Sequence, residues 1–154
     1  MQVWQHSHSI LTGTAVLTLT LVSFPTLAQE IQRFVHPQQA PTYIDPASKS
    51  TIRVIIDEKL GGTKEVSIAE LEIPPGVDVP DHVHQSTEIF YILSGELEQT
   101  SEGKVRKLTA GMAALVPANT TTHHKVTSKE PVRALVIWAP GGEEQRIVER
   151  WEKK

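Results

Sequence analysis

At 154 residues the chain is long enough for one domain of ordinary size, and such a domain buries roughly two-thirds of its unfolded surface, so its core needs no staples. The absence of cysteine excludes disulfides, thiolate zinc sites and cysteine nucleophiles, and leaves nitrogen and oxygen as the only strong metal donors. A formal net charge of −3, without any basic run, argues against a nucleic-acid partner.

Residues 1–28 read as a secretory signal. Ile10 to Val22 is apolar apart from threonines and Gly13, and Thr26-Leu27-Ala28 offers a small-residue cleavage site before Gln29. The apolar run falls short of the about 20 residues a membrane span requires, so an exported protein, periplasmic or secreted, is expected without a stable membrane anchor. No Lys or Arg precedes the run, only His6, His8 and the amino terminus, which keeps an uncleaved anchor as the other reading. His6 and His8 leave with the signal and receive no functional role.

Residues 29–50 carry Pro37, Pro41 and Pro46 among polar residues and read as an extended arm or linker, with the folded domain over 51–154. Strand-like runs then follow one another: Ile52 to Asp57, Val66 to Ile73, Glu88 to Ser94, Glu96 to Ser101, Lys104 to Leu108, Met112 to Val116, Thr122 to Val126 and Val132 to Trp138. Short strands at this spacing, with turn residues between them, predict an all-β sandwich or barrel. Beyond Pro140-Gly141-Gly142, Glu143 to Lys153 is expected to form a short helix with Ile147, Val148 and Trp151 on one side. Ile89 to Leu93 and Ala134 to Trp138 are apolar on both faces, the pattern of strands covered on both sides.

The chemistry concentrates between Gly76 and Gly95, in Gly-Val-Asp-Val-Pro-Asp-His-Val-His-Gln-Ser-Thr-Glu-Ile-Phe-Tyr-Ile-Leu-Ser-Gly. His82, His84 and Glu88 stand at even offsets, which on a strand gives them one face. Two imidazoles and a carboxylate converging there suit a divalent transition metal (Fe, Mn, Co, Ni, Cu or Zn) with coordination positions left open for water or substrate. Gly76 and Gly95 mark turns at the ends of the motif, and Pro80 favours an extended approach to the histidines.

This stretch resembles the first motif of the cupin family: a glycine, five residues, His-x-His, three residues, Glu, six residues and a glycine. The resemblance implies a single-domain double-stranded β-helix, or jelly-roll barrel, and a metal held by His82, His84 and Glu88. It also implies a homodimer, because cupins commonly dimerise through sheets that are apolar on both faces. The family's second motif is matched by Gly111, five residues and Pro117, with Asn119 where a glycine is common; Asn tolerates the left-handed turn. Its final histidine would fall on Thr122, whereas the imidazoles here are His123 and His124. An insertion among residues 119–122 would bring in His123. An unshifted strand would instead bring in His124 two residues further along, with Val126 inside and Lys125 outside. Parity favours His124, since an inward His123 would bury an unpaired lysine. A site of His82, His84 and Glu88 alone is the third reading.

Fold does not fix reaction. The resemblance implies a metal-dependent enzyme, an oxidoreductase such as a dioxygenase or oxidase, or a decarboxylase-like lyase, acting on a small oxygen-rich organic substrate. The competing class is a non-catalytic module binding metal or a small ligand in the cell envelope. Gln85, Thr87 and Tyr91 are candidates to orient a substrate, Glu96 and Glu98 are candidate bases only if they face inward, and an aromatic pocket would rest on Phe90, Tyr91 and Trp138.

Overall fold

The computed structural model describes Val35, His36 and residues 39–154; the signal assigned to residues 1–28 lies outside them. In chain order the elements are β1 (Thr42–Ile44), β2 (Thr51–Ile56), α1 (Glu58–Gly61), β3 (Ser67–Ile73), β4 (Asp78–Val83), β5 (Thr87–Ser94), β6 (Glu96–Ser101), β7 (Lys104–Thr109), β8 (Ala113–Val116), β9 (Thr121–Val126), β10 (Val132–Ala139), α2 (Glu143–Val148) and β11 (Glu152–Lys153). They build two antiparallel sheets, ordered β11-β1-β2-β3-β10-β5-β8 and β4-β9-β6-β7. This is the all-β jelly roll expected. Among the described residues no helix is long and apolar enough to cross a membrane.

Alternation explains the layers. Along β10, Val132, Ala134, Val136 and Trp138 are buried, and along β5 so are Glu88, Phe90 and Ile92. From the smaller sheet Leu97, Leu108 and Val126 meet them, closing an apolar core between the sheets. The chain passes from one sheet to the other at Gly95, whose φ is 81°. A Cβ there would stand 2.7 Å from the Pro131 carbonyl oxygen, so only glycine fits this crossover.

Three expectations change. Thr42–Ile44 lies within the arm yet pairs with β2, because extended backbone beside an open edge completes its hydrogen bonds there. The carboxy-terminal helix stops at Val148 instead of reaching Lys153; the chain turns so that β11 can pair with β1 at Tyr43↔Lys153 and Ile44↔Glu152. A strand unrecognised in the sequence, β4, runs through Pro80, which is tolerated because β4 is an edge strand. Within the chain β5 and β10 are covered on their inner face. Ile137 and Leu135 pair with Ile89 and Tyr91 on the outer face, where Tyr91, Leu93 and Leu115 are exposed.

Candidate metal centre

His82, His84 and Glu88 do not share one strand: His82 lies on β4, His84 just beyond its end, and Glu88 on β5 in the other sheet. Two local features bring them to one place. The register between β4 and β9 shifts from Val79↔His124 to His82↔Thr122, so β4 carries one extra residue around Pro80-Asp81. That bulge turns both Val79 and His82 inward although they are three residues apart. The turn after β4 is then tied down by the Asn119 N–H, which donates to the His84 carbonyl at 2.8 Å. Asn119 itself has φ 61°, the left-handed conformation expected where the motif commonly has glycine.

On β9 the side chains alternate: Thr122, His124 and Val126 are buried, while Lys125 is exposed. His124 stands beside His82, ring centroids 5.4 Å apart, and is stacked on Phe90 at 5.2 Å. His123 points to the other face and pairs with Asp78. The geometry thus groups His124, and not His123, with His82, His84 and Glu88. His82 and His84 are themselves 5.0 Å apart.

The hydrogen bonds fix which atom each group offers. His82 Nδ1 donates to the Pro80 carbonyl at 2.8 Å, since a carbonyl can only accept, which leaves Nε2 as the atom turned to the pocket for a ligand. His84 Nδ1 donates to Glu143 Oε2 at 3.2 Å, again leaving Nε2 unprotonated. Trp138 Nε1 donates to Glu88 Oε1 at 3.2 Å. His84 Nε2, Glu88 Oε2 and His124 Nε2 are buried and have no hydrogen-bond partner. His84 Nε2 approaches Glu88 Oε1 at 3.2 Å, but without hydrogen-bonding alignment. Two electron-rich atoms facing each other in this way call for a proton or a cation between them.

Glu143, at the start of α2, is the residue missed in the sequence. Besides His84 it accepts the Gln85 N–H at 2.6 Å and Arg146 Nη1 at 3.0 Å. Its only sequence signal was an acidic first turn, which more often answers a helix dipole than a ligand. Burial pushes its carboxyl upward, but the Gln85 and His84 bonds and the His84 and Arg146 charges bring it below the usual range, so it is ionised.

Burial, reinforced by the neighbouring imidazoles of His82, His84 and His123, holds His124 down at about 3. Burial also lowers His84, against the opposing pull of Glu143. Both rings are therefore neutral at pH 7, the form that donates to a metal. Burial raises Glu88 to about 7, with the Glu143 charge adding to it and the Trp138 bond opposing it.

As placed, no three His, Cys, Asp or Glu side chains among the described residues close into a ligand set around one point. The donor chemistry nonetheless fits a divalent transition metal: unprotonated imidazole nitrogens and an unpartnered carboxylate oxygen on one buried patch, with Pro80, Glu143 and Trp138 orienting the groups behind them. They line a pocket of about 330 Å³ that also receives Asp45, Arg146, Arg150 and Trp151. Gln85, Thr87 and Tyr91 are absent from its lining, as are Glu96 and Glu98. Tyr91 faces outward on β5, and Glu96 pairs with Lys107 at 2.6 Å on the outside of the smaller sheet. Phe90 and Trp138 do line the pocket, and Trp151 takes the place expected of Tyr91.

The family model described as Cupin domain matches residues 69–138, which span both halves of this site. The chain carries a cupin domain over these residues. Solved cupin structures share its fold. An RmlC-like cupin from Shewanella frigidimarina is 17% identical, covering 73% of this chain and 94% of its own, with a TM-score of 0.60. A predicted oxalate decarboxylase from Thermotoga maritima is 21% identical, covering 70% and 98%, with a TM-score of 0.57. The polyketide cyclase RemF from Streptomyces resistomycificus is 21% identical, covering 72% and 81%, with a TM-score of 0.60. No curated protein matches the chain. Within this cupin, Thr122 holds the place of the motif's last histidine and lies opposite His82, and an imidazole reaches the pocket one inward position later, from His124.

Proposed function

We propose that this cupin is an exported metal-dependent enzyme acting on a small oxygen-rich organic substrate, with a divalent transition metal held by His82, His84, Glu88 and His124. The observation that carries the reading is the set of buried atoms without partners, His84 Nε2, Glu88 Oε2 and His124 Nε2, at one pocket with His82. Leaving such atoms unpartnered is costly, and a cation that drew them onto one point would satisfy them together. When bound, the metal supplies Lewis acidity or electron transfer to a chelating substrate.

The protein's own part is to position and to exclude water. Pro80 and Glu143 fix the tautomers of His82 and His84, and Trp138 orients the Glu88 carboxylate. Phe90 and Trp138 keep the floor of the pocket apolar, which strengthens any charge interaction made there. The cavity of about 330 Å³ favours an enzyme over a sealed storage site, because it leaves room for a small ligand beside the imidazoles. The apolar outer face of β5, β8 and β10 supports a homodimer, and Thr42–Ile44 of the arm lies at the far end of the sheet order from β8.

The test is metal content measured together with oxygen consumption in protein isolated from its own cell. Stoichiometric iron, manganese or copper, with oxygen uptake on adding organic acids or phenols, would establish an oxidative enzyme. Stoichiometric metal without any turnover would move the assignment to the binding module.

A further inference from the structure

Resting on the metal reading above, we propose that the pocket selects a small carboxylate, its charged group held by Arg150 and Arg146 and its apolar part lying against Ile147 and Trp151. All four side chains line the same cavity as the histidines. They come in two pairs four residues apart, so α2 and the turn after it set a charged stripe beside an apolar one. The turn is kept helical by the Arg150 and Trp151 N–H groups, which donate to the Ile147 carbonyl at 3.0 and 3.1 Å. Ile147 and Trp151 pack on the core, which anchors this wall.

The balance of charge singles out Arg150. Asp45 keeps its charge but turns both carboxylate oxygens to the Ser48 hydroxyl and to the N–H groups of Ala47 and Ser48. Asp78 pairs with His123 and Lys125. Glu143 is engaged by His84, Gln85 and Arg146, and Arg146 spends Nη1 on Glu143 and the Val83 carbonyl. Arg150 lines the cavity without a carboxylate partner among the described residues. A divalent ion held by the histidines and Glu88, as proposed above, would leave the histidine end positive as well, because the Glu143 charge there is offset by Arg146. A cavity of about 330 Å³ with positive charge at two places and an apolar wall attracts an anion with a short hydrocarbon body. A planar guanidinium offers a carboxylate paired N–H donors, which a neutral amide cannot match.

The experiment compares benzoate with its neutral isostere benzamide by calorimetric titration into the full chain as isolated, and into Arg150→Gln and Arg150→Lys. Benzoate is expected to bind about 10- to 100-fold more tightly than benzamide, the worth of hydrogen bonds to a charged group. Arg150→Gln should remove most of that preference and Arg150→Lys only part of it, with thermal midpoints unchanged because the side chain is exposed. Equal benzoate affinity in the wild type and Arg150→Gln overturns the subsite, as does tighter binding of benzamide. The two readings fail separately. A chain shown to hold no metal that still prefers benzoate through Arg150 sinks the metal and keeps the subsite, whereas a metal-bound chain indifferent to Arg150→Gln does the reverse.

Discussion

Glu143→Gln isolates the group that holds His84 in its donor form. The wild-type carboxylate accepts three bonds: the Gln85 N–H on Oε1 at 2.6 Å, and His84 Nδ1 and Arg146 Nη1 on Oε2 at 3.2 and 3.0 Å. A glutamine amide of the same shape keeps one accepting oxygen. With that oxygen on the Gln85 N–H, the shorter bond, its NH₂ group faces His84 Nδ1. The ring then accepts at Nδ1 and carries its proton on Nε2, the atom that faces Glu88. Losing such an orienting partner costs about 10- to 100-fold in metal affinity, or about 1.4 to 2.7 kcal/mol. Glu143→Ala is the poorer choice, since an orphaned Gln85 N–H costs about 1–3 kcal/mol of stability by itself. The assay is competition for zinc against a chromophoric chelator, with ¹⁵N NMR of the imidazoles reporting the His84 tautomer. Wild-type zinc affinity in Glu143→Gln, or a wild-type Nδ1–H tautomer in that variant, would refute the reasoning.

The ligand assignment on β9 predicts that His124→Ala lowers metal affinity at least about tenfold while His123→Ala leaves it within about twofold, read in the same competition assay; equal effects would point to a site of His82, His84 and Glu88 alone. Metal-stripped protein should show a stability maximum near pH 6.5, measured by urea midpoints. His124, held at about 3 by burial, contributes stability that is lost as pH falls from 6.5 toward 3, and Glu88, raised to about 7 by burial, contributes stability that is lost as pH rises from 4.5 to 7. Their slopes oppose each other between pH 4.5 and 6.5, where His84, also lowered by burial, adds a further loss as pH falls, so stability declines below 6.5 and again from 6.5 to 7; a steady rise from pH 5.5 to 7.5 would contradict the burial of Glu88. Tyr91→Glu on the exposed outer face should shift a homodimer to monomer in light scattering without loss of metal, and a wild-type monomer at micromolar concentration would remove the dimer.

Much of this was legible in the chain because period-2 alternation is strong wherever a strand faces a core. Val132 to Trp138 and Glu88 to Ser94 announce themselves instead as short apolar runs between turn residues, while the parity of Lys125 and Val126 was enough to favour an inward His124. Edge strands carry no such signal. β4 reads Asp-Val-Pro-Asp-His-Val, too polar and with a proline, and its bulge hides the fact that Val79 and His82 share a face. The even spacing of His82, His84 and Glu88 therefore grouped residues that do line one pocket, but through a wrong picture, one strand instead of two sheets joined by a turn. Glu143 was beyond reach for another reason. It meets His84 across 59 positions of sequence, and nothing local distinguishes it from an acidic residue at a helix start. Arg146 and Arg150 were hidden likewise, since their role depends on how α2 lies over the pocket.

The most direct test of the central claim is the metal content of the purified wild-type chain beside that of a His82→Ala/His84→Ala double variant prepared in parallel. A stoichiometric divalent transition metal in the wild type, absent from the variant and accompanied by a higher thermal midpoint that chelation abolishes, is the result predicted. A wild-type chain without metal, or a double variant with full occupancy, would contradict the assignment of the site.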